Sequence, residues 1–210
     1  LIMIHGDNKG LILPPKIAPI QVVIVPIFKK KDRDIVIEES KKLYTELNGF
    51  DLRIIVDDRE EYTAGWKFND WEIKGVPLRI NIGLRDINNN NLEIVRRDTG
   101  EKMSIKREDC INSLHVYLDQ IQKSLFEKAK IIQNNNIVRT TNYDEMKKLL
   151  NEKGGFILAD WCEKEECENN IKNETGADIR LIPFEKYSSE NKCIYCNENS
   201  KKTVIFAKAY

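Results

Sequence analysis

The chain has 210 residues, with 34 Lys and Arg set against 34 Asp and Glu and a hydrophobic fraction of 41%. That is room for one large domain or two small ones with a real core, and zero net charge argues against a blanket basic surface made for nucleic acid. No apolar run approaches the roughly 20 residues of a membrane span, and the opening LIMIHGDNKG has neither a signal-peptide pattern nor an initiator methionine, so a piece of a longer cytoplasmic protein is expected.

IQVVIVPI at 20–27 is a continuous apolar, β-branched run, the mark of a strand buried on both faces of a largely parallel sheet. DRDIVIEESKKLYTELNGF then places Ile35, Leu43 and Leu47 at helical spacing and closes on Asn48-Gly49, a helix stop signal. FDLRIIVDD reads as a second strand, and GWKFNDWEIKGVPLRINIG at 65–83 supplies a short helix followed by a third strand, VPLRINIG. Two consecutive βαβ units give an open α/β sheet.

The Asn run at 88–91 reads as a turn, after which LEIVRR and EKMSIK flank Asp98-Thr99-Gly100 as a hairpin. REDCINSLHVYLDQIQKSLFEKAK carries Ile111, Leu114, Leu118, Ile121 and Leu125 on one face of a long helix. The polar QNNN at 133–136 is a boundary candidate. Beyond it YDEMKKLL (helix), GFILAD (strand), CENNIKNETG (helix), ADIRLIP (strand) and KTVIFAKA (strand) make a second, smaller α/β unit.

Four of the five cysteines cluster: Cys162-x4-Cys167, a gap of 25 residues, then Cys193-x2-Cys196. Four thiolates satisfy tetrahedral zinc, and the x2 spacing lets a tight knuckle present both sulfurs to one ion. With every position filled by protein, such a site is structural rather than catalytic. Cys110 stands alone in a helical stretch and is expected to stay free. His5 and His115 belong to no ligand pattern, and His115, bordering an apolar stripe, reads as an ordinary partly buried histidine. No G-x-S-x-G, GxxxxGK[ST] or GxGxxG occurs, so nothing supports self-contained catalysis.

The segment 57–79 mixes aromatics with both signs of charge. Trp66, Phe68 and Trp71 do not share one helical face, although Trp66 or Trp71 can still belong to the core. Asp57 and Asp58 fall at the carboxyl end of a strand, where open α/β sheets bind ligands. Arg59, Lys67 and Arg79 are near enough in sequence to line the same edge. A solvated, salt-bridged loop is the bland alternative. Aromatics among mixed charge, without a phosphate loop, fit unstacked nucleobases: ring faces stack a base while carboxylates and cations read its edge.

HGDNKGLILPPKIAPIQVVIVPI, DDREEYTAGWKFNDWEIKGVPLRINIG, ADWCEKEECENNIKNETGADIR and CIYC with KTVIFAKAY together resemble the carboxyl-terminal half of prolyl-tRNA synthetase, in the archaeal and eukaryotic-like branch. The resemblance covers almost the whole chain. It implies a tail of the catalytic core and linker at 1–17, and a class II anticodon-binding domain with a mixed five-stranded sheet and flanking helices at 18–130. A small α/β zinc-binding domain follows at 131–210, its structural zinc on Cys162, Cys167, Cys193 and Cys196.

The family joins proline to its tRNA with ATP and magnesium. Its catalytic core lies upstream of Leu1, so this chain alone is expected not to aminoacylate. The implied partners are the tRNA(Pro) anticodon and the upstream core of the same protein, homodimeric in the full enzyme, with no membrane and no DNA. The proline anticodon presents two adjacent guanines, and Arg59, Lys67, Phe68, Asp70, Trp71, Glu72 and Arg79 are the candidates for reading them. His5, Asp7 and Tyr210 are implied to lie beside the active site of the parent enzyme, with the final strand holding the Tyr210 carboxylate toward it. Two rival readings are a non-catalytic tRNA-sensing or accessory module and a small-molecule α/β enzyme with a structural zinc.

Overall fold

The computed structural model describes residues 1–152, 154–184 and 191–209. Chain contacts divide it into two units, Leu1–Ala129 and Lys130–Tyr210.

The first unit opens with a single helical turn, α1 (Ile2–His5), and an extended stretch that leads to β1 (Val22–Ile27). α2 (Arg33–Leu47), β2 (Ile54–Val56), α3 (Ala64–Lys74), β3 (Leu78–Gly83), the short α4 (Leu84–Asn88), β4 (Asn91–Arg96) and β5 (Lys102–Lys106) follow. The sheet order is β2-β1-β3-β4-β5. β1 runs parallel to both β2 and β3, while β3, β4 and β5 are antiparallel to one another in turn. The sheet is therefore mixed and five-stranded, as the resemblance implies.

β1 is central, and its alternate residues face two different cores. Val22 and Ile24 join the large cluster with Leu43, Leu47, Leu114 and Ile121. Val23 and Val25 pack with Trp71 and Val76 beneath α3. A run with no polar residue is what such a two-faced strand needs.

α2 buries Val36, Ser40, Leu43 and Leu47. Ile35, expected on this face, is 52% exposed: the buried stripe passes through its neighbour Val36, one position round the helix. The expected turn at 88–91 begins one step late, because α4 occupies Leu84–Asn88. The long helix α5 (Cys110–Asn135) buries Leu114, Leu118, Ile121 and Leu125 with Cys110. Ile111 packs partly buried beside them, and His115 is exposed rather than partly buried, since it points off the stripe.

The second unit takes the last turns of α5, then β6 (Ile137–Arg139), α6 (Tyr143–Glu152), β7 (Phe156–Trp161), α7 (Glu165–Thr175), β8 (Ala177–Leu181) and β9 (Lys202–Lys208). β6 was not expected. Its sheet has the order β6-β7-β9-β8, and β9 is antiparallel to both neighbours. Met146, Leu150, Ile157, Ile171, Val204 and Phe206 form its core. β9 ends at Lys208, and Tyr210 lies outside the described residues. No described helix is long and apolar enough to cross a membrane.

Candidate functional site

α3 is placed by both of its ends. Thr63 caps it by accepting the Trp66 N–H at 3.3 Å, and Gly75 closes it in the left-handed region at φ 74 with its N–H on the Glu72 and Trp71 carbonyls, the usual glycine stop. The leading segment straps this end. Leu11 N–H donates to the Ile73 carbonyl at 3.0 Å and Leu13 N–H to the Gly75 carbonyl at 3.1 Å. A side chain on Gly75 would meet Leu11 Cβ at 2.6 Å, and one on Gly10 would meet Ile73 Cα at 2.5 Å, so the approach requires glycine on both strands of the contact. Arg97 completes the strap: its Nε donates to the Glu72 carbonyl at 2.9 Å, and its two Nη atoms to Asp7 at 2.9 and 2.7 Å. This fork holds the Asp7 carboxyl well below the usual carboxylate range.

Under α3 the carboxyl end of β2 delivers Asp57, whose side chain is fully buried. It accepts Arg59 Nε and Nη2 at 2.8 and 2.7 Å and the Trp71 indole N–H at 2.7 Å. Burial by itself would raise this carboxyl, but the Arg59 and Trp71 hydrogen bonds and the Lys67 charge override it and hold it low. Lys67, only 2% exposed, donates to the Asp57 carbonyl at 2.9 Å and sits 3.9 Å from its carboxylate; burial draws its amine downward. Arg59 also reaches Asp70 at 2.8 Å, which Lys74 shares at 2.9 Å. Lys67 and Trp71 thus act from inside the fold, and Trp71 is core. Arg59, Asp57 and Asp70 form one charge network with them.

Three further candidates gather beside α3, with Phe68 and Glu72 half-buried and Arg79 only 7% exposed. The Arg79 guanidinium lies 3.9 Å from the Phe68 ring centroid, with the Glu72 carboxylate 3.4 Å away and Asn81 Oδ1 accepting its Nε at 3.1 Å. Ring, cation and carboxylate therefore meet on one patch although they come from α3 and β3. Trp66 does not join it. Trp66 stacks instead on Tyr62, with centroids 3.8 Å apart and planes 11° from parallel.

Two clefts open at the carboxyl ends of the parallel strands, where open sheets place ligands. One, of about 680 Å³, is lined by Lys29, Lys31 and Arg85 beside Gly83; the other, of about 330 Å³, lies between Phe28, Glu61, Tyr62 and Lys67. Tyr62, Asn81 and Arg85 escaped the sequence reading. The signal for Tyr62 was present in the Tyr-Thr-x-x-Trp spacing across a helix cap, while nothing local marks Arg85.

In the second unit the four clustered cysteines converge. Their sulfurs all lie within 4.8 Å of one another, with Cys162 to Cys167 at 3.6 Å and Cys196 to Cys162 at 3.7 Å. Four sulfurs about 2.3 Å from a central ion sit roughly 3.8 Å apart, so the set fits a tetrahedral metal ion. Cys167 is carried on the first turn of α7. Glu163 and Asn197, each just past a ligand, take positive φ of 66 and 59 and turn the chain back toward the sulfurs. The Cys193 thiol is raised by burial but lowered more by the backbone N–H groups of Cys196, Tyr195 and Cys162, and it lies low overall. The knuckle is stitched to the sheet by Ile194 N–H on the Asp160 carbonyl at 2.8 Å and by Tyr195, whose hydroxyl donates to Glu174 at 3.0 Å.

Comparison with known proteins agrees with both units. Residues 21–116 match the family model of the anticodon binding domain, and residues 143–210 match that of the prolyl-tRNA synthetase C-terminal domain. The chain is 49% identical over 210 residues to "Proline--tRNA ligase 2" of Clostridioides difficile and 47% identical over 212 residues to "Proline--tRNA ligase" of Natranaerobius thermophilus. It is 43% identical over 210 residues to the enzyme of that name from Alkaliphilus oremlandii. In each case all of this chain is covered, and it spans 43 to 44% of the relative's length.

Proposed function

This chain belongs to the prolyl-tRNA synthetase family, and on that premise we propose that it reads the anticodon of tRNA(Pro) for an enzyme that joins proline to that tRNA. The observation that carries the reading is the patch of Phe68, Glu72 and Arg79. A guanine offers N1–H and an exocyclic amine to a carboxylate, and O6 and N7 to a guanidinium, while its face needs a flat partner. This patch carries all three, with Phe68 and Glu72 half-buried and the Arg79 guanidinium recessed over one face of the Phe68 ring. Asp57, Arg59, Lys67, Asp70 and Trp71 serve by holding α3 in place. The proline-activating chemistry, with ATP and magnesium, belongs in this proposal to the remainder of the relatives' length, with His5, Asp7 and Tyr210 beside it. The ion at the four cysteines is zinc, the parent is a homodimer and its setting is the cytoplasm.

Binding of a tRNA(Pro) anticodon stem-loop tests the reading. Glu72→Ala and Arg79→Ala should each weaken binding by roughly 1–3 kcal/mol, the worth of a good base-edge contact, and replacing the two anticodon guanines should do the same to the unaltered protein. Equal affinity for loops with and without the guanines would overturn it.

A further inference from the structure

The pile of Tyr62 and Trp66 has no part in the patch at Arg79, and its geometry calls for an occupant. The rings cover each other's inner faces at 3.8 Å. Arg59 Cζ lies 5.2 Å from both centroids, and a point equidistant from two stacked rings lies beside the pile, never on an outer face. Arg59 cannot swing onto one, because Asp57 and Asp70 hold its fork. The exposure left to Tyr62 and Trp66, 39% and 43%, is therefore on outer faces and free edges. Tyr62 also forms a wall of the 330 Å³ cleft at the end of β1, a volume within the range of small-ligand sites.

We propose that the Tyr62–Trp66 pile is a stacking platform for one further unpaired nucleobase of the same RNA, flanking the guanines read at Glu72 and Arg79; the inference rests on that reading. Aromatic faces take any base, because every base has a flat π-face. The cleft is lined by Glu60, Glu61 and Lys67; Glu60 is paired with Arg33 and Lys67 with Asp57. With those two charges spent, the Glu61 carboxylate is the group left to accept amino and imino hydrogens, which suits an uncharged base better than phosphate. Arg59 stands level with the gap between the two rings and leaves their outer faces uncovered by its guanidinium. Affinity without choice of sequence is the expected contribution, in contrast to the discriminating patch.

The test uses the same stem-loop with 2-aminopurine placed at each unpaired loop position in turn, against the full chain. One position should lose fluorescence on binding to the unaltered protein and keep it with Trp66→Ala. Trp66→Ala and Tyr62→Ala should weaken binding on the order of tenfold, by the same factor for loops with and without the guanines, and Trp66→Phe should restore it. Thermal unfolding of each variant checks that α3 remains formed, since Trp66 also follows the helix cap. Undiminished affinity in both alanine variants overturns the platform, and so does a loss that Trp66→Phe fails to restore. A loss confined to guanine-containing loops would assign the pile to discrimination instead and overturn it as well. Failure of the guanine reading alone would show as equal affinity for both loops with the Trp66 effect intact.

Discussion

Single side chains in this protein divide by whether their charge is spent inside the fold. Lys67 is the clearest case: a cation beside aromatics looks like a base reader in the sequence, yet its amine is buried against Asp57. Nothing local announces this, because the decisive partner arrives from the end of another strand. Asp57→Ala should cost about 3–5 kcal/mol in urea unfolding, the usual penalty for leaving a buried charge without its partner, whereas a change within 1 kcal/mol would mean that Lys67 is not held as a cation. Cys110 is legible by contrast, being isolated in sequence and 2% exposed in the fold. Burial pushes its thiol up to about 12, so the reactive thiolate is scarce at pH 8. Alkylation of Cys110 at that pH should begin only on unfolding, and modification of the folded chain at the rate of a free thiol would contradict the burial.

At the scale of elements, long apolar runs and wide spacings survive the passage from sequence to structure, and short or phase-sensitive features do not. β1, β3, α5 and β9 follow directly from uninterrupted apolar patterns. β6 has three residues behind an Asn run and forms only because β7 offers it an edge. Ile35 fails because a helical stripe shifted by one residue moves a side chain to the water. The knuckle is the most legible element of all, since ligand spacing is a local constraint that the chain cannot meet by accident. Protein purified without chelator should hold about one zinc per chain, and Cys193→Ser should abolish it. Trp161, which packs on the cysteine cluster, should change its emission on metal removal. A chain that contains no metal, or keeps that emission in the Ser variant, would count against a structural ion.

For the whole molecule, balanced charge means that the proposed attraction to RNA must come from local groups, and stability at a given pH must come from particular pairs. The strap of the leading segment is one of these, and it was invisible in the sequence because Asp7 and Arg97 are 90 residues apart. Asp7 has its carboxyl depressed in the folded state, so its contribution is fully present above the unfolded value near about 3.9 and is lost as pH falls from there through the folded value. Asp7→Asn should therefore be less stable than the unaltered chain at pH 6, and the gap should begin to narrow below about pH 4 and go on narrowing as pH falls; a gap independent of pH would assign the effect to something other than the carboxylate. The same strap sets where this domain can be cut. The sheet begins at Val22, and an excised piece starting at residue 18 would keep every strand. It would also uncover the Ile73 and Gly75 carbonyls and leave the almost buried Arg97 without its acid, loosening the end of the helix that carries Glu72. The shortest faithful version of the first unit thus starts no later than Asp7, well ahead of its first strand.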